Sequence, residues 1–137
     1  MYQRIAHITL VVDDYEKAIA FYTGKLEFEL LEDTLLDEGK RWVMVAPKGA
    51  KECSLVLAKA VNKQQLSRVG NQTGGRVSLF LFTDDFWRDY NNLTDKEINF
   101  VRAPQDFDYG IVAVFEDLYG NLWDLVQPHE KNKGLIP

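Results

Sequence analysis

A chain of 137 residues, 46% hydrophobic and 27% charged, is long enough to bury a core without disulfide or metal staples and has a globular rather than disordered composition. Its formal net charge of -5, with acidic and basic residues interspersed, leaves no footprint for a polyanion, so we expect no nucleic-acid partner. The single cysteine, Cys53, excludes an internal disulfide, and no apolar run approaches the roughly 20 residues of a membrane span; with no signal-like run after Met1-Tyr2-Gln3-Arg4, we expect a reduced cytoplasmic protein without a membrane partner.

Residues 4–12 alternate between Ala6, Ile8, Leu10 and Val12 on one side and Ile5, His7, Thr9 and Val11 on the other, the period of a strand. The first set is expected to face a helix and the second carries the histidine. Asp13 or Asp14 can cap the next helix, and Glu16, three residues past Asp13, suggests an acidic variant of the capping box. Tyr15, Ala18, Ile19 and Tyr22 follow at helical spacing, with Gly24 as the stop. Strands are predicted near residues 28–33, 41–46 and 53–58, separated by turns at Asp37-Glu38-Gly39 and Pro47-Lys48-Gly49.

Residues 59–75 read as a linker, with a short helix capped at Asn62 and a loop at Asn71-Gln72-Thr73-Gly74-Gly75. The opening design then recurs. His7 to Lys17 and Ser78 to Arg88 both run from an apolar strand through two aspartates into an amphipathic helix. A strand at 77–83, a helix carrying Phe86, Tyr90 and Leu93, and strands near 98–103, 111–116 and 122–127 complete the copy, with Tyr119-Gly120-Asn121 as a tight turn. The expected organisation is therefore α+β: a first βαβββ module over 1–58, the linker over 59–75, a second module over 76–128 and a C-terminal tail over 129–137. Paired modules of this kind are expected to curl mixed sheets round a cleft, with helices outside.

The opening Ile5-Ala6-His7-Ile8 with Asp13-Asp14 and Phe21-Tyr22, and the closing Phe115-Glu116-Asp117-Leu118-Tyr119-Gly120-Asn121-Leu122-Trp123-Asp124-Leu125, resemble the vicinal oxygen chelate superfamily. That group includes glyoxalase I, fosfomycin-resistance proteins, extradiol dioxygenases, methylmalonyl-CoA epimerase and bleomycin-resistance proteins. The resemblance implies a homodimer, and it implies ligand positions for a divalent metal at His7, Ser54 or its neighbour Cys53, Ser78 and Asp124. Only His7 and Asp124 are good ligands, and Asp124 stands where the family usually has glutamate.

His7 is a candidate ligand, base or substrate contact, or else a histidine satisfied by a neighbour. Asp124, set among Leu122, Trp123, Leu125 and Val126, is costly unless paired, metal-bound or wetted, and a hydrogen bond between Asp124 and His7 would serve without a metal. Glu52 is a remote replacement carboxylate or a solvated strand end. Gln72-Thr73-Gly74-Gly75-Arg76 can present backbone N–H groups beside Arg76 to an anionic ligand, or be a plain turn. Phe80 and Phe82 share a face with Ser78 and, with Trp42, offer an aromatic cup for a flat ligand.

Two readings follow. In one, His7 and Asp124 hold a divalent ion that polarises a small substrate in a glyoxalase-like or dioxygenase-like lyase, isomerase or dioxygenase. In the other, a metal-free protein of bleomycin-resistance type holds a small organic molecule, oriented by His7, Asp124 and Arg76. A metal-free lyase or isomerase using His7 as general base remains a third.

Overall fold

Strong alternation at the start of the chain makes β1 (His7–Val12) a strand whose Leu10 and Val12 are buried while His7 and Thr9 are exposed. The computed structural model describes residues 1–129; most of the expected tail, residues 130–137, lies outside the described residues. The chain divides into two units, Met1–Gln72 and a second that begins at Thr73.

In the first unit β1 leads to α1 (Tyr15–Ala20), one π-helical turn (Phe21–Lys25), β2 (Glu29–Asp37), β3 (Lys40–Ala46), β4 (Ser54–Lys59) and α2 (Lys63–Leu66). The cap of α1 is Asp14, whose carboxylate accepts the Lys17 N–H at 2.9 Å, and not the Asp13–Glu16 pair. Glu16 instead pairs with Arg41, which also grips Asp33 and lies over the Tyr15 ring, 5.1 Å from its centroid. This long-range partner outcompetes a local capping box. Beyond Ala20 the helix widens rather than stopping at Gly24, and the wider turn lets consecutive Phe21 and Tyr22 both bury.

The four strands order as β1-β4-β3-β2, with β1 parallel to β4 and the other pairs antiparallel. Val43, Val45 and Leu57 join Leu10 and Val12 on the buried side, against which α1 packs. The opposite side carries His7, Thr9, Ser54, Val56, Trp42 and Met44, by the registers His7 with Ser54 and Met44 with Val56.

The second unit repeats the plan as β5 (Val77–Phe82), α3 (Phe86–Asp95), β6 (Phe100–Phe107), β7 (Gly110–Glu116) and β8 (Leu122–Pro128), ordered β5-β8-β7-β6. Asp85 caps α3 by accepting the Arg88 N–H. Phe86, Phe115 and Leu125 are fully buried between α3 and the sheet. Gly110 has no alternative: a Cβ there would stand 2.6 Å from the Gln127 carbonyl oxygen. His129, the first residue of the expected tail, is tied down, its N–H donating to the Tyr109 carbonyl and its ring bonding Asp106 at 2.6 Å. Each unit is thus a βαβββ module with a mixed four-stranded sheet.

Candidate functional site

In the first unit the parallel register between β1 and β4 sets His7 beside Ser54, and their Nδ1 and Oγ atoms hydrogen-bond at 2.6 Å. Trp42, on β3, meets the imidazole edge to face, with ring centroids 5.9 Å apart. Ser54 is buried, its Oγ 3.5 Å from the Ala6 carbonyl. His7 is therefore oriented through Nδ1, while Nε2 has no partner among the described residues.

Gln72 serves the backbone. Its amide accepts the Val11 N–H at 2.9 Å and donates to the Thr9 carbonyl at 2.6 Å, imitating a neighbouring strand along the free edge of β1. Glu52 and Cys53 precede β4; Glu52 is exposed and accepts the Lys51 N–H, while the half-buried Cys53 thiol lies 3.7 Å from the Ser54 carbonyl.

In the second unit Asp124 pairs in register with Phe80 on β5 and with Val114 on β7, and Val114 pairs with Arg102 on β6. Ser78 is off this rung and sits at a bulge between Val77 and Leu79; its Oγ lies 3.3 Å from Thr73 Oγ1. Phe80, 62% exposed, and Phe82 stand on the same side as Asp124, away from α3. Arg76 is exposed beside Gly74 and Gly75, both at positive φ, and its carbonyl accepts from Thr73.

Arg102 is the residue that sequence reading missed. Counting by twos from Phe100, which packs on Tyr90 and Phe115, would put it on the helix side. A bulge between Phe100 and Arg102 inserts an extra residue, so that Arg102 comes into line with Val114 and Asp124. A charged strand residue two before Pro104 carries no local signal of this reversal.

Burial pushes the Asp124 carboxyl above its ordinary range, and the positive charge of Arg102 pulls it part of the way back. With the folded-state value raised above the unfolded one, folding favours the protonated acid. Its contribution to stability is full below the unfolded value and is lost as pH rises through the folded one. Asp124→Asn is therefore expected to melt above the wild type at neutral pH, with the gap closing as acid protonates the wild-type carboxyl. Thermal melts across that range check this; a gap of constant size would refute it.

A divalent transition-metal centre wants three or more suitable donors. Beside His7 stand a serine and an indole, with the Met44 thioether next to that serine, and the charge that acts on Asp124 is a guanidinium. Among the described residues no group of three or more His, Cys, Asp or Glu side chains is assembled to hold an ion. The donors within each unit do not fit a metal centre. Among the described residues, too, no helix is long and apolar enough to cross a membrane.

Comparison with known proteins adds four findings. The model of the Glyoxalase/Bleomycin resistance protein/Dioxygenase superfamily matches residues 4–125. An uncharacterised protein of Shewanella frigidimarina is 59% identical over 132 residues, spanning 96% of this chain and 98% of its own. Among solved structures, UcmS2 is similar with a TM-score of 0.81 and 31% identity, over 92% of this chain and 98% of its own. TnmS3, an antibiotic binding protein from Streptomyces sp. CB03234, is similar with a TM-score of 0.75 and 32% identity, over 93% of this chain and 98% of its own.

Proposed function

From the premise that the chain belongs to the Glyoxalase/Bleomycin resistance protein/Dioxygenase superfamily, we propose that it is a metal-independent binder of a small, flat, largely apolar organic molecule. The sheet faces that carry His7 and Asp124 are its binding surfaces. The observation that carries this reading is the makeup of those faces: exposed Phe80 and Phe82 beside one half-buried carboxyl, and Trp42 beside an imidazole already bonded to serine. Likeness to an antibiotic binding protein supports it.

The test is native mass spectrometry of protein purified without chelator, followed by calorimetric titration with flat aromatic compounds before and after dialysis against EDTA. Binding is expected to survive chelation unchanged. Stoichiometric nickel, manganese, iron or zinc that disappears in His7→Ala, together with binding that needs the ion, would overturn the reading in favour of a metal-assisted lyase, isomerase or dioxygenase.

One observation favours a second reading. His7 is held through Nδ1 with Nε2 unpartnered among the described residues, and in the tautomer in which Nδ1 donates to Ser54 that nitrogen is a positioned proton acceptor. A metal-free isomerase or lyase would convert the compound it binds, and conversion would be lost in His7→Gln while binding persisted.

A further inference from the structure

We propose that Arg102 and Asp124 form a two-point clamp selecting a neutral flat ligand that presents a hydrogen-bond acceptor beside a donor, of which a carboxamide is the simplest. This rests on the binding reading above and deepens it by naming the chemical class.

The geometry is that of one rung across three strands, Arg102 on β6, Val114 on β7 and Asp124 on β8. Neighbouring strands lie about 4.8 Å apart, so the two charged residues flank the valine with their Cα atoms roughly 10 Å from each other. The long Arg102 side chain can reach over the valine toward the short Asp124 carboxyl, and a separation of this size is spanned by one small polar group between them. Neither side chain has a hydrogen bond or close ion pair among the described residues, and each is the other's counter-charge. Phe80 stands on the same rung beyond Asp124, and Phe82, exposed like it, follows on the next of the same side, so that two aromatic side chains offer apolar surface to a ring.

Charge then decides the ligand class. An anion satisfies Arg102 but sets like charge against a carboxylate that burial already disfavours. A cation satisfies Asp124 and is repelled by the guanidinium. A neutral group that accepts from Arg102 and donates to Asp124 satisfies both and adds no net charge to the apolar face.

Calorimetric titration with four naphthalene probes tests the clamp: naphthamide, naphthoate, naphthylmethylammonium and methylnaphthalene. On the wild type, naphthamide is expected to bind about tenfold or more tighter than the other three, the scale of one satisfied charged hydrogen bond. Arg102→Gln should move the preference to the cation, and Asp124→Asn should move it to naphthoate; circular dichroism melts confirm that both variants fold. Naphthoate or the cation binding tightest to the wild type, or an order unmoved by both substitutions, overturns the clamp and leaves the aromatic binder standing. Failure of every probe to bind the wild type overturns both.

Discussion

Truncating Phe115 to alanine is expected to cost the second unit about 4 kcal/mol, the usual toll of emptying an aromatic site in a packed core. Phe115 is fully buried, with Phe100 edge-on at 5.7 Å and Trp123 stacked at 5.8 Å. Phe100 meets Tyr90 at 4.5 Å, and Tyr90 stacks on Phe86 at 5.7 Å, so one run of rings joins α3 to β6, β7 and β8. Removing its middle leaves a cavity that rigid strands cannot close. Phe80 on the opposite face is the internal control: 62% exposed, it loses little packing on truncation, so Phe80→Ala should leave stability nearly intact while weakening the binding of aromatic probes. Urea titration of both variants decides the matter, and a Phe115→Ala loss below about 1 kcal/mol would refute the account.

Most of this architecture was legible because the signals were local or periodic. In β1 Leu10 and Val12 are buried while His7 and Thr9 are exposed, the alternation that marks a half-buried strand, whereas β4 and β7 are legible as short apolar runs buried along most of their length. β2 runs four residues beyond its expected end, to Asp37; it is exposed throughout, so no buried set marks where it stops. Spacing narrows the cap of α1 to two aspartates but not to Asp14, since the choice turns on Arg41 claiming Glu16. Residues named for the site divide along the same line. Alternation puts His7 on the side opposite the buried Leu10 and Val12, where it lies, yet its tie to Ser54 and its contact with Trp42 depend on strand pairing that no spacing reveals. Its place in a glycine-rich loop suggests Gln72 as a ligand contact, whereas its amide spans two backbone groups of β1. Arg102 escaped notice because bulges on either side of it break the count of two on which face assignment rests.

The turn before β8 is where stability and recognition meet, and Asp117→Ala is expected to cost about 3 kcal/mol because it orphans several buried donors at once. Asp117 is 5% exposed, and its carboxylate accepts the Tyr119 and Asn121 N–H groups and the Asn121 side-chain amide, each at 2.9 Å. Its own N–H donates to the Asn121 carbonyl, and its carbonyl accepts from Gly120, whose φ of 95° the tight turn requires. Alanine keeps the bonds made by the Asp117 backbone but leaves the Tyr119 and Asn121 N–H groups and the Asn121 side-chain amide facing an apolar methyl. Asparagine differs in a diagnostic way. Its oxygen can still accept both backbone N–H groups, and its new NH2 can face Asn121 once that amide flips to offer Oδ1, an atom with no partner among the described residues. Asp117→Asn should therefore retain most of the stability that Asp117→Ala loses. The same turn fixes where β8 begins at Leu122, and so the rung on which Asp124 meets Phe80, Val114 and, across β7, Arg102. Below its lowered melting temperature, Asp117→Ala should bind naphthamide and naphthoate with a smaller difference than the wild type, whereas Asp117→Asn preserves the difference. Equal destabilisation by both substitutions would show that charge, and not the number of accepted bonds, holds this turn.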